Sequence, residues 1–263
     1  MEHHHTASTH TISAFMPLLI VAGVLIIYLV AVIRQHRLGY SWSKWRTTSC
    51  VAGVALLAVA MLPSVVNYAH YNIKGHMVQH LLIGMLAPLG LVLAAPVTLA
   101  LRTLPVKTAR FVTAILRSKL FHWLSHPVTA LVLNIGGMYL LYLTPLYSMT
   151  LTQPYLHHLV HIHFLAAGYL FVWAIAGPDP APDRPGIRTR LVVLFISIAT
   201  HAYLSKFMYA YVWPRNTPHD VEQIRSAAKL MYYGGDLSEL LLAVALFAMW
   251  YKKSSRYTIC VQK

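Results

Sequence analysis

Two histidines stand four residues apart in His76-Met77-Val78-Gln79-His80, and His157 and His161 repeat that spacing with His158 and His163 beside them. On a helix four residues is about one turn, so each pair presents two imidazoles on one face. Two such pairs facing each other would supply up to four neutral nitrogens, a ligand type that suits copper, zinc and haem iron alike. A second set interrupts strongly apolar runs: His201, Lys206, Asp236 and Glu239. Ionisable groups in such surroundings are costly unless paired, which predicts Lys206 with Asp236 and His201 with Glu239. Asp236 and Glu239, three apart, share a helix face just after Gly234-Gly235, where a backbone can approach closely.

Several chemistries are excluded. A zinc-protease helix needs Glu directly after its first histidine, and Met77 stands there. Cys50 and Cys260 are far apart and form no C-x-x-C pair, against a disulfide framework or a thiolate metal site. No glycine-rich loop cradles phosphate and no Ser or Cys stands in a nucleophile setting, so the chain reads as a non-enzyme. Met77, Met85, Met149, Met208 and Met231 share the region of the histidines. Thioethers favour Cu(I), but core filling is their commoner role.

The elements that must position these residues are transmembrane helices. Of 263 residues 57% are hydrophobic and 11% charged, a membrane composition. Apolar runs lie near Phe15 to Ile33, Ser49 to Val66, His76 to Leu101, Val128 to Tyr147, Tyr155 to Ala176, Leu191 to Val212 and Leu230 to Tyr251. The expected fold is therefore all-α, a polytopic integral membrane protein with seven transmembrane helices. One domain, 1–263, would have an extracytoplasmic tail at 1–14 and a cytoplasmic tail at 252–263. Lys and Arg number sixteen on one set of alternate connections and four on the other, with Lys206 inside a span. The positive-inside rule then places the N-terminus outside and the C-terminus in the cytoplasm. The net charge of +14 reads as topology and contact with anionic lipids at the cytoplasmic face, with no nucleic acid as partner.

The first span has no basic segment before it and reads as a retained helix. Glu2 with His3 to His5 reads either as an expression-tag remnant or as an extracellular metal-catching tail. The connection Pro105 to Phe121 mixes Phe111, Val112, Ile115 and Leu116 with Lys107, Arg110, Arg117 and Lys119, the pattern of an interfacial amphipathic helix. Pro178 to Gly186, with four prolines, is a stiff loop. The topology puts thirteen of the sixteen histidines outside or in the outer half, leaving His36, His122 and His126 inside. At about 1.5 Å per residue, His80, His161, Lys206 and Asp236 share one layer, with His201 and Glu239 about a turn deeper. His70 and His219 read as loop residues.

Three functions fit such a one-sided pocket. One is an assembly factor that holds copper transiently; another is a bis-His haem-binding electron carrier or oxidoreductase; the third is a metal-ion transporter using the Lys206, Asp236 and Glu239 layer. Haem needs a convincing second pair near the inner leaflet, which His122 and His126 beside Pro127 do not make. Transport wants polar groups on both sides of the midplane.

The run His76 to Pro88, followed by Leu93-Ala94-Ala95-Pro96-Val97, resembles the seven-span CtaG family of cytochrome c oxidase assembly proteins. So do His157-His158-Leu159-Val160-His161-Ile162-His163-Phe164, with Gly168 and Phe171-Val172-Trp173 after it, and Tyr232-Tyr233-Gly234-Gly235-Asp236. The resemblance runs from about the second span to the seventh. It implies a protein of the bacterial plasma membrane needed to make active haem-copper oxidase of the caa3 type, with copper delivered to cytochrome c oxidase subunits. It also implies His76, His80, His157 and His161 as metal ligands, with Asp236 as a neighbouring functional carboxylate, and copper rather than haem as the bound group; His158, His201 and Asp236 are counted with them as metal-site residues. In the family pattern an Asp precedes the glycine pair, whereas here Asp236 follows it. Neutral imidazole ligands would weaken metal binding as pH falls through about 6.5.

Overall fold

The computed structural model of the chain describes residues 4–181 and 184–261, with side chains described over 15–181 and 184–252. His3, Pro182 and Asp183 lie outside the described residues, as do the side chains of His4, His5 and Cys260. Every regular element among the described residues is helical.

Helix α1 (His4–Arg37) begins inside what the sequence predicted as a tail. Next come α2 (Lys44–Ala60), α3 (Pro63–Tyr71) and α4 (Ile73–Leu81). A single π-helical turn, Leu82–Leu86, joins α4 to α5 (Ala87–Leu93). Short helices α6 (Pro96–Thr103), α7 (Val106–Leu116) and α8 (Lys119–Leu124) lead into α9 (Pro127–Leu143) and α10 (Leu146–Thr152). Three long helices finish the chain: α11 (Pro154–Ala176), α12 (Ile187–Tyr211) and α13 (Val221–Val261), the last running into the predicted C-terminal tail.

Five helices are long and apolar enough to cross a membrane: Phe15–Arg37, Ile73–Leu93, Pro154–Ala176, Ile187–Tyr211 and Val221–Lys252. The count reaches seven if α2 with α3, bent by 53°, and α9 with α10, bent by 75°, each make one span. Both bends sit at a proline whose missing N–H stops the helix before it, Pro63 and Pro145. The third predicted span also ends early, at Leu93, because Ala95 turns left-handed (φ 52°) ahead of Pro96.

The α4–π–α5 rod lies at the centre, with α2 and α11 against its α5 end and α13 against α4. Helix α12 packs on α13 and α9, and α1 lies at the edge on α2 and α6. A buried set holding Ile73, Met77, Met138, Tyr142, Tyr147, Phe164, Met208 and Met231 surrounds the α4 end. A separate set, with Phe171, Trp173, Leu194 and Leu246, fills the opposite end. Three of the sequence-noted methionines, Met77, Met208 and Met231, are thus core.

The break at Ala95 is tied on both sides. The Tyr28 hydroxyl donates to the Ala94 carbonyl at 3.0 Å and accepts from the Trp42 indole at 3.1 Å. Asp179, 3% exposed, caps α6 by accepting from the Val97 and Thr98 N–H groups (3.2 and 2.7 Å) and the Thr98 hydroxyl (2.6 Å). The predicted stiff loop is therefore a latch, a role its prolines did not reveal.

Candidate metal centre

Helix α4 starts at Asn72, whose side chain accepts the Lys74 N–H at 2.8 Å. From there His76 and His80 point inward and are 3% and 2% exposed. In the π turn the Ala87 N–H reaches back five residues to Leu82. The turn turns the Gly84 carbonyl onto α11 at Gly168, where any Cβ would overlap that oxygen. The paired glycines let α11 lie close on the π turn, which brings its histidines near those of α4.

The rings form a row. His157 meets His161 edge-on with centroids 4.3 Å apart, and His161 lies 6.3 Å from His76. His76 sits edge-on to Tyr147 at 5.0 Å and to Tyr142 at 6.1 Å. His80, a turn deeper, is edge-on to Phe164 at 4.7 Å and also to Tyr142. With metal–nitrogen bonds of about 2 Å, two imidazoles on one ion have centroids roughly 5–6 Å apart, near the His76–His161 spacing.

Among the described residues Nε2 of His76 and His161 and both ring nitrogens of His80 and His201 are buried without a hydrogen-bond partner. Buried polar atoms are bonded in the great majority of cases, so these six nitrogens are the ones that could hold a ligand here. Among the described residues no three of His, Cys, Asp or Glu already stand close enough to hold one ion. The two pairs come together at His76 and His161, and they make a row with His80 turned onto Phe164 rather than a four-nitrogen cage.

Beneath the row lies His201, fully buried, its Nδ1 4.0 Å from a Glu239 carboxylate oxygen. The other oxygen of Glu239 accepts from the Ser197 hydroxyl at 3.3 Å. Gly235 makes room for the imidazole, since a Cβ there would fall on the His201 ring. Glu239 also borders a cavity with Met85, Asn134, Ser197 and Ser238, whose free space of about 20 Å³ is enough for one water.

The expected Lys206–Asp236 pair is absent. The Lys206 ammonium lies 5.2 Å over the Tyr232 ring on an exposed side chain, and half-buried Asp236 has no cation within 4.0 Å among the described residues. His158 is exposed at the mouth of the row. His163 is a packing residue: its Nε2 lies 3.1 Å from the Leu133 carbonyl, and the ring fills the space a Cβ at Gly137 would need.

Three aromatic walls, Tyr142, Tyr147 and Phe164, were not singled out in the sequence. Phe164 carries the one available signal, standing three residues after His161 on the same helix face. His219, read as a loop residue and lying in the connection before α13, closes one end of the row: its Nε2 is 3.0 Å from the Tyr147 hydroxyl. Burial lowers the His219 pKa, against the opposing pull of Gln223 and Asp220.

Residues 26–253 match the sequence profile of the cytochrome c oxidase caa3 assembly factor family, Caa3_CtaG. Uncharacterized protein ML1998 of Mycobacterium leprae (strain TN) is 30% identical over 251 residues, 88% of this chain and 38% of that protein. Uncharacterized protein Mb0105 of Mycobacterium bovis is 36% identical over 202 residues, 73% of this chain and 31% of that protein. The chain thus spans about a third of the length of the curated relatives it matches. No solved structure matches.

Proposed function

The chain belongs to the family of cytochrome c oxidase caa3 assembly factors, and we propose that it serves assembly by holding copper, as cargo, among His76, His80, His157 and His161. His158 stands at the mouth of this row, His201 at its floor, and Asp236 nearby. In this reading the protein is a carrier and not an enzyme. It crosses the bacterial plasma membrane seven times, each bent pair counting as one span, with its N-terminus outside. The uneven split of Lys and Arg between alternate connections supports that orientation. It also supports anionic lipid against the basic, apolar α7 and α8, where Phe111 and Leu120 are each 66% exposed. The recipient is a subunit of the oxidase.

One observation carries the copper reading: unbonded imidazole nitrogens gather in a buried layer at one end of the bundle. Imidazole accepts copper, zinc and haem iron alike, and membership of an oxidase-assembly family favours copper among them. The test combines elemental analysis, an optical spectrum and oxidase activity, for the wild type and a variant with His76, His80, His157 and His161 all changed to Ala. Copper near one per chain, lost in the variant together with oxidase activity, is expected. A variant that supports full oxidase activity refutes the reading. A Soret band with stoichiometric iron would replace copper by haem.

A further inference from the structure

At the end of the bundle opposite the histidine row, a pocket is lined by His122, Ser125, His126, Trp173, Arg184 and Pro185. Its chemistry is one-sided. Trp173 is 5% exposed, and its indole N–H has no acceptor among the described residues. The same holds for the buried Arg184 Nε–H, although the tips of that guanidinium donate to the Gly177 and Asp179 carbonyls. His126 Nδ1 accepts from the Val128 N–H at 3.3 Å, which assigns the proton of the neutral ring to Nε2 and makes it a third donor. Among the described residues the nearby carboxylate is Asp179, which is already engaged in capping α6.

Charge points the same way. Burial and the neighbouring Arg190 lower the Arg184 pKa to about 10, with Asp179 only partly opposing. A half-buried cation held near a like charge gains from any anion that arrives. The free space is about 10 Å³, room for about one oxygen-sized atom, so a ligand would insert one oxygen and keep its bulk outside. Just outside are α8, with Leu120 and Trp123 66% and 61% exposed, and the basic residues of α7. This is where an amphipathic segment meets lipid headgroups.

We propose that this pocket is an anion seat for a phosphate oxygen, held by Trp173, Arg184 and His126. It deepens the lipid contact proposed above, and rests on that reading for the source of the phosphate, by giving one headgroup a built place. Inorganic phosphate offers the same chemistry from solution.

The test is native mass spectrometry of the full chain with phosphatidylglycerol against phosphatidylcholine, together with thermal melts in inorganic phosphate. Trp173→Phe keeps a ring against Phe121, 5.0 Å away, and deletes only the N–H. Arg184→Gln removes the charge but also touches the loop, so Trp173→Phe decides. Lys107→Gln with Arg110→Gln weakens the general basic face without entering the pocket. Retention of phosphatidylglycerol that falls about tenfold in Trp173→Phe and Arg184→Gln but not in the Lys107, Arg110 double variant is expected. A melting-temperature rise with inorganic phosphate and no lipid preference, lost in the same two variants, keeps the seat and makes its source soluble. Binding equal in all variants, no binding of either anion, or loss in the Lys107, Arg110 variant alone overturns the proposal. The last result would leave the general lipid contact intact and the seat refuted.

Discussion

Gly168→Ala isolates the contact on which the histidine row depends. A Cβ at 168 would overlap the Gly84 carbonyl oxygen and stand 3.2 Å from Pro88 Cγ. Neither neighbour is the tip of a flexible side chain, so α11 must move off the π turn, by about 1 Å. Such overpacking costs about 1–3 kcal/mol, while the better helix propensity of Ala over Gly returns about 1 kcal/mol. The net loss is up to about 2 kcal/mol, a melting temperature up to about 6 °C lower for a chain of this size. The effect on metal is larger, because ligand distances tolerate only about 0.2 Å and His161 travels with α11 while His76 stays on α4. Copper affinity, measured by competition with a chelator, should fall about tenfold or more. Gly23→Ala on α1 is the matched control, since nothing lies within 4 Å of a Cβ there. If Gly168→Ala melts and binds copper like Gly23→Ala, the close approach of α11 does not set the site and the argument fails.

Two further outcomes follow from groups outside the spans. Asp179→Ala strips α6 of the acceptor for two backbone N–H groups and should cost about 1–2 kcal/mol, read as faster hydrogen exchange at Val97 and Thr98; unchanged exchange there would show that the loop is no latch. His219, with its pKa lowered by burial, favours the neutral ring in the folded protein. Its contact with Tyr147 is therefore fully present above about pH 6.5 and is lost as pH falls through the lowered value. Hydrogen exchange over the segment from Trp213 to Asp220 should rise on acidification in the wild type and not in His219→Gln; a flat wild-type profile between about pH 7 and 5 contradicts it.

Much of the fold could be read from periodicity and composition, because lipid leaves the backbone few choices besides helix. The apolar runs located every long helix, and the i,i+4 spacing put the two members of each histidine pair on one helix face. What composition concealed were interruptions inside apolar stretches. Pro63 and Pro145 were visible as residues, yet a hydropathy window averages over a single proline and reads through the bend. The π turn at Leu82–Leu86 has no residue signature beyond Gly84, and its effect appears only through Gly168, more than eighty positions away. Asp179 looked like one more polar residue in a proline-rich loop, since its partners lie in α6.

The two predicted ion pairs separate the part of the site that depth can decide from the part it cannot. His201 and Glu239 were matched by depth and do meet, at 4.0 Å. Lys206 and Asp236 were matched by the same rule and do not. The difference is angular. At about 100° per residue, Lys206 is turned roughly 140° around α12 from His201, so the helix cannot aim both at α13. Burying His201 commits Lys206 to the outer surface, where its ammonium rests over Tyr232. Glu239 and Asp236 are only about 60° apart on α13, so the carboxylate facing His201 keeps its neighbour half-buried instead of exposed. Gly235 fixes which alternative is taken: the single position on α13 without a side chain that receives a ring receives that of His201. The floor of the row is thus chosen by a missing Cβ, and a depth ranking of ionisable residues becomes a site assignment only after the small residues on the facing helix have been placed.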